Sequence, residues 1–145
     1  MKKLLLITIL VVAGYVGYVQ YPSWFSVAPT AEAAQSDSAL ARAFENHAGN
    51  VQVQGQGTVI KILADDNDGS RHQRFIVRLD SGQTLLIAHN IDLASRVSPL
   101  SEGDAIEFNG EYEWNAKGGV VHWTHRDPAG RHPAGWLKHN GQMFQ

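Results

Sequence analysis

At 145 residues with a formal net charge of −2, the chain is long enough for one small domain beside a targeting segment. The absence of cysteine excludes a disulfide framework, thiol catalysis and cysteine-based zinc sites. Setting aside residues 1–33 leaves 10 Lys+Arg against 13 Asp+Glu, about −3 with neutral histidine, so non-specific nucleic-acid binding driven by phosphate neutralisation is not expected.

Lys2 and Lys3 precede Leu4 to Val19, a run without a charge. A basic start before an apolar core is the pattern of a secretory signal. The run is short for a membrane span, but Tyr21, Trp24 and Phe25 give it an interfacial aromatic flank. Residues 1–25 are therefore read as a signal peptide or an uncleaved signal anchor. Ala31-Glu32-Ala33 has the small-x-small pattern of a cleavage site, far beyond the apolar core. Either reading exports the remainder to the periplasm, soluble or held to the inner membrane through residues 4–25. Residues 26–37, rich in Ala, Pro, Ser and Thr, are expected to be a linker, and 38–145 the folded domain.

The domain opens on a short amphipathic helix, Ser38 to His47, with Ser38 as cap and Leu40 and Phe44 one turn apart. Val51 to Ala64 is a first strand. Its apolar parity changes from odd (Val51, Val53) to even (Ile60, Ile62), which predicts a bulge or bend at Gly55-Gln56-Gly57. Asp65 to Ser70 is an acidic turn. It fails the EF-hand pattern, because Ala64 and Phe75 would occupy the first and twelfth positions. Arg71 to Leu79 follows as a strand burying Gln73, Phe75, Val77 and Leu79, and Thr84 to His89 as a third. Asn90 caps a short helix or turn through Val97. The fourth strand, Ala105 to Trp114, alternates Ile106, Phe108, Gly110, Tyr112 and Trp114 with Glu107, Asn109, Glu111 and Glu113, and the fifth is Val120 to His125. Two Pro-Ala-Gly turns then predict an irregular C-terminal flap. Three strands, a short helix and a closing hairpin are the order of a five-stranded OB-like barrel in a mostly β protein.

Polar chemistry gathers late in the chain. His122, His125, Asp127 and His132 are candidate catalytic groups, since imidazole and carboxylate side chains serve as acid or base near neutral pH. His125, Asp127 and His132 are the candidate metal set, suited to zinc or another transition metal if a loop starting near Thr124 draws them together. His122 and His125 fall on opposite faces unless the strand ends between them. Arg71, His72, His89, Asn90, Trp123 and Trp136 are candidate ligand-binding residues, at strand ends or as aromatic platforms. No nucleophile elbow, phosphate-binding glycine loop or HExxH is present.

The segments HNIDLA and GEYEWN…GGVVHWTH, within a run from about Gly55 to Gln145, are similar to the bacterial domain of unknown function 3465 family. The resemblance implies a small exported or membrane-anchored bacterial protein and implies no activity or cofactor. The acidic and arginine catalytic set of staphylococcal-nuclease-like OB barrels has no counterpart in this sequence. The expectation is an exported OB-like binding module for a small molecule, oligosaccharide or protein. A small metal- or histidine-dependent hydrolase of the phosphodiesterase or nuclease type is the alternative, and envelope scaffolding the third.

Overall fold

The computed structural model describes residues 28–145. The signal or anchor segment, residues 1–25, lies outside them. No helix among the described residues is long and apolar enough to cross a membrane.

Helix α1 spans Ala31–Glu45, seven residues earlier at its start than the sequence suggests. Thr30 is its cap, its side chain accepting a hydrogen bond from Ala33 N–H at 3.2 Å, and Glu32 complements the positive end of the helix dipole. The segment read as linker up to residue 37 is thus helical from Ala31. The alanines that suggested a flexible spacer are also the strongest helix formers. Ala33, Asp37, Leu40 and Ala43 form the buried face. Leu40 is fully buried in the core, and Asp37 ties the helix to the barrel by accepting Ser81 N–H at 2.8 Å. Asp37→Ala is expected to cost about 1–2 kcal/mol in urea denaturation, the loss of a part-buried hydrogen bond from backbone to a charged acceptor.

Seven strands follow: β1 Val51–Ile62, β2 His72–Arg78, β3 Thr84–Asn90, β4 Ala105–Glu113, β5 Val120–His122, β6 Trp136–His139 and β7 Gln142–Phe144. β1 pairs antiparallel with β2 and with β4, β2 with β3, and β4 with β5, while β3 and β5 are parallel. These five close the OB-like barrel. Its inward positions are those the alternation predicts, with Phe75, Val77, Leu85, Ile87, Ile106, Phe108, Tyr112 and Val121 buried.

Four local expectations are corrected. The bulge in β1 lies between Val59 and Lys61, where the register against β2 shifts. Pairing with β4 runs unbroken from Val51 to Thr58, and Gly55 instead leaves room for the Phe108 ring. The β3–β4 connection is a single turn over Ile91 to Ala94 rather than a helix. Asn90 Oδ1 accepts Asp92 N–H at 2.9 Å, a local bond that competes with helix continuation. β5 stops at His122 because Trp123 takes a left-handed backbone, φ 51°. The end of the flap is not irregular: β6 and β7 form a hairpin whose turn residues Asn140 and Gly141 both have positive φ. Asn-Gly is a strong two-residue hairpin signal.

That hairpin extends the sheet. One edge of β4 pairs with β1, while its other edge serves β6 at Glu107–Asn109 and β5 at Glu111–Glu113. Gly110 stands at the fork. Residues 123–135 cross from β5 to β6 and bring His132 back to the outer face of β4.

Candidate functional site

The outward side chains of β4 and β5 meet in fixed register, Glu111 opposite His122 and Glu113 opposite Val120. Ligand atoms of Glu111, Glu113 and His122 all lie within 4.8 Å of one another. His122 Nε2 is 3.4 Å from Glu111 Oε1, yet it is shielded from solvent and makes no hydrogen bond. The atoms are near enough to attract, but not aligned for a proton to be shared.

The second oxygen of Glu111 is held from above. His132 Nε2 lies 2.7 Å from Oε2, and His132 Nδ1 lies 2.9 Å from the Pro133 carbonyl. Both ring nitrogens face acceptors, so the geometry suits an imidazolium donating twice. The Trp123 ring stacks on His132 at 4.1 Å with planes 8° apart, an arrangement that favours a cation against the π-face. The left-handed backbone of Trp123 therefore both ends β5 and lays the indole across this imidazole. Asp127 builds the connecting loop. Its Oδ1 accepts Ala129 N–H at 2.9 Å, and its Oδ2 accepts those of Arg131 and His132 at 2.9 and 3.1 Å.

These surroundings separate the histidines by proton affinity. His122 is lowered from its ordinary value, because desolvation outweighs the attraction of Glu111 and Glu113. His132 is raised: desolvation opposes the shift but is outweighed by Glu111, the Pro133 carbonyl and Asp127. Asp127 is lowered by the backbone donors of Ala129 and Arg131. His89 is pushed down to about 4, chiefly by burial and further by the neighbouring His125 and His72. NMR titration of these three imidazoles in chelator-treated protein is therefore expected to show His132 protonating at higher pH than His122 and His89.

The residues expected from sequence fall into three groups. His72, His122, His132 and Trp123 reach the outer face of β2, β4 and β5 or the loop above it. His89 and His125 are interior, 0% and 3% exposed. His89 Nδ1 meets Thr124 Oγ1 at 2.8 Å and its Nε2 meets the Ser95 carbonyl at 3.1 Å, which removes His89 from any contact with a surface ligand. His125 Nδ1 is 2.8 Å from the Arg126 carbonyl. The expected set His125, Asp127 and His132 does not form a common ligand cluster: His125 is buried, Asp127 caps its own loop, and His132 is engaged at both nitrogens. The third group is structural. The Arg71 side chain pairs with Asp92 at 2.7 Å, Asn90 shapes the following turn, and Trp136 lies in β6 opposite Asn109.

Beside this cluster a shallow groove of about 290 Å³ runs over β2, β3 and β5, lined by Asp66, His72, Arg74, Leu86, Ala88, Glu113, Val120 and His122. The β1–β2 loop, residues 63–71, supplies its rim. A larger groove of about 410 Å³ lies between β1, β4 and the β6–β7 turn. It contains no histidine, and its Lys138 is paired with Glu107 at 3.2 Å, so the chemistry favours the smaller one. Glu111 and Glu113 are the site residues that alternation alone assigns to plain solvent. Their signal was the hairpin register, which sets Glu111 beside His122.

The sequence profile of the family described as "Protein of unknown function (DUF3465)" matches residues 21–145. The chain belongs to this DUF3465 family. No curated protein matches it. The family match covers every strand and helix described above, including the β6–β7 hairpin and the Asp127 loop. The candidate site thus lies wholly within the family domain.

Proposed function

We propose that this DUF3465 domain is an exported ligand-binding module that takes its ligand on the outer barrel face, in the groove over β2, β3 and β5. The observation that carries the reading is the composition of that groove. Arg74, His72 and His122 offer donors, Asp66 and Glu113 offer acceptors, and Leu86, Ala88 and Val120 form a small apolar floor. A few convergent polar groups around an apolar surface are the usual make-up of a small-ligand site. The arrangement suits a small polar molecule with an anionic group, or the end of an oligosaccharide, set against the floor by Arg74. Lys2, Lys3 and the uncharged run behind them support export, with anchoring through residues 4–25 if that segment is retained.

The test is a ligand-observed NMR screen of the full chain against organic acids, sugars, oligosaccharides and short peptides, followed by mapping of each hit on protein amides. Hits are expected to perturb His72, Ala88 and Val120. Both Arg74→Ala and the groove-filling Ala88→Leu should weaken them by about tenfold or more, as loss of one charged contact implies. Binding that both variants leave intact, or a panel with no hit on the folded protein, rejects the reading.

A further inference from the structure

We propose that Glu111, Glu113 and His122 bind a divalent first-row transition ion, zinc being the type, with a coordination position left open toward the groove. This site stands whether or not the groove takes an organic ligand. Three features point to it. The first is spacing. Zinc bonds of 2.0–2.1 Å to nitrogen and oxygen imply a tetrahedral ligand-to-ligand edge of about 3.3–3.4 Å. His122 Nε2 and Glu111 Oε1 are 3.4 Å apart, and a Glu113 oxygen completes a group lying within 4.8 Å. An ion between them draws the third ligand in by a small side-chain rotation.

The second feature is the unspent nitrogen. A shielded imidazole nitrogen normally finds a hydrogen-bond partner. His122 Nε2 has none, although a carboxylate stands beside it. A cation between the two satisfies both groups.

The third feature is the support behind the ligands. Metal-binding carboxylates are commonly fixed by an outer hydrogen bond. Glu111 Oε2 is held by His132 at 2.7 Å, leaving Oε1 on the His122 side. His132 is itself fixed by the Pro133 carbonyl and by Trp123. Glu113 Oε1 accepts Asn50 N–H at 3.0 Å, which anchors the other carboxylate to the segment before β1. His132 is thus a positioning residue and not a ligand. Three protein ligands with a further position open characterise zinc sites that engage a substrate or ligand, whereas structural zinc sites are closed by four. The mixed nitrogen and oxygen donor set favours a transition ion over Mg²⁺, which takes oxygen ligands and retains its water.

The experiment uses the full chain, untagged and stripped with chelator. Zinc affinity is measured by competition with a chromophoric chelator, and Co²⁺ loading is followed by its visible spectrum. The expected result is one zinc per chain, a Co²⁺ spectrum of low-coordinate type, and no competition from excess Mg²⁺. His122→Ala and Glu113→Gln, each checked for fold by circular dichroism, should lose on the order of a hundredfold in zinc affinity and abolish the Co²⁺ spectrum. His132→Gln should lose about 10–100-fold while keeping the spectrum, the signature of an outer-sphere partner. Folded wild-type protein that takes up no zinc overturns the proposal. So does zinc binding that survives undiminished in both His122→Ala and Glu113→Gln.

Discussion

Gly110→Ala is expected to cost about 3 kcal/mol, lowering the melting temperature by roughly 10–15 °C, or to prevent folding altogether. Gly110 is the point at which one edge of β4 passes from β6 to β5. It faces the barrel interior, and its opposite edge is already paired with Val53 of β1. A Cβ there would collide with the His122 carbonyl and press on the side chains of Thr124 and Val121 at 2.9 and 3.0 Å. The first obstacle is backbone, which cannot rotate away as a side chain can. Relief requires β5 to move outward, which strains the parallel β3–β5 pairing that closes the barrel. Gly130→Ala is the control. Gly130 has φ 65° and open space around it, so its cost is only the left-handed backbone penalty, about 1–2 kcal/mol. Urea unfolding of both variants decides the matter. A Gly110→Ala protein no less stable than Gly130→Ala would show that β5 can shift freely, and the fork would then be no constraint. Because the colliding carbonyl belongs to His122, a folded Gly110→Ala protein should also displace that imidazole from Glu111.

The same strand shows what could and could not be read from sequence. Inward positions of β2, β3 and β4 were legible because each strand buries one face, and a period-2 pattern records that directly. Gly55 and Gly57 offer a local cause for the parity change in β1, yet the strand pairs unbroken through both. The break is made at Ile60, a residue with no local bulge signature, since tertiary pairing with β2 decides the register. The start of α1 at Ala31 is hidden in the sequence, because an alanine-rich segment reads equally as spacer or helix until Leu40 and Asp37 find the barrel. The site divides in the same way. Glu111 beside His122 follows from counting a hairpin register. His132 above Glu111 does not, because it depends on an irregular loop held by Asp127 and on the backbone reversal at Trp123. No periodic pattern encodes a contact of that kind.

His89→Gln is expected to flatten the acid side of the stability profile by about 3 kcal/mol, the free energy linked to moving one imidazole from an ordinary value of 6.5 to about 4. His89 continues the buried Leu85–Ile87 face of β3 and is 0% exposed. Its neutral form fits the site. Nε2–H donates to the Ser95 carbonyl at 3.1 Å, and Nδ1 accepts the Thr124 hydroxyl at 2.8 Å. Protonation would place a charge in the barrel interior near His125 and His72, and would set two donors against one another unless the Thr124 hydroxyl turned round. The folded state therefore refuses a proton that the unfolded chain accepts between pH 6.5 and about 4. Since the unfolded state binds more protons in that window, stability falls as pH falls through it. The contribution is full above the unfolded value and exhausted below the folded one. Wild-type and His89→Gln proteins unfolded in urea at intervals from pH 7.5 to 4 should diverge at neutral pH and converge toward acid. Glutamine retains one of the two interior hydrogen bonds and cannot titrate, so the variant should start lower and decline less. Parallel curves would mean that His89 is protonated as readily inside the fold as outside it. The Thr124–His89–Ser95 bridge would then not be the neutral tie between β3, the β3–β4 turn and the segment following β5.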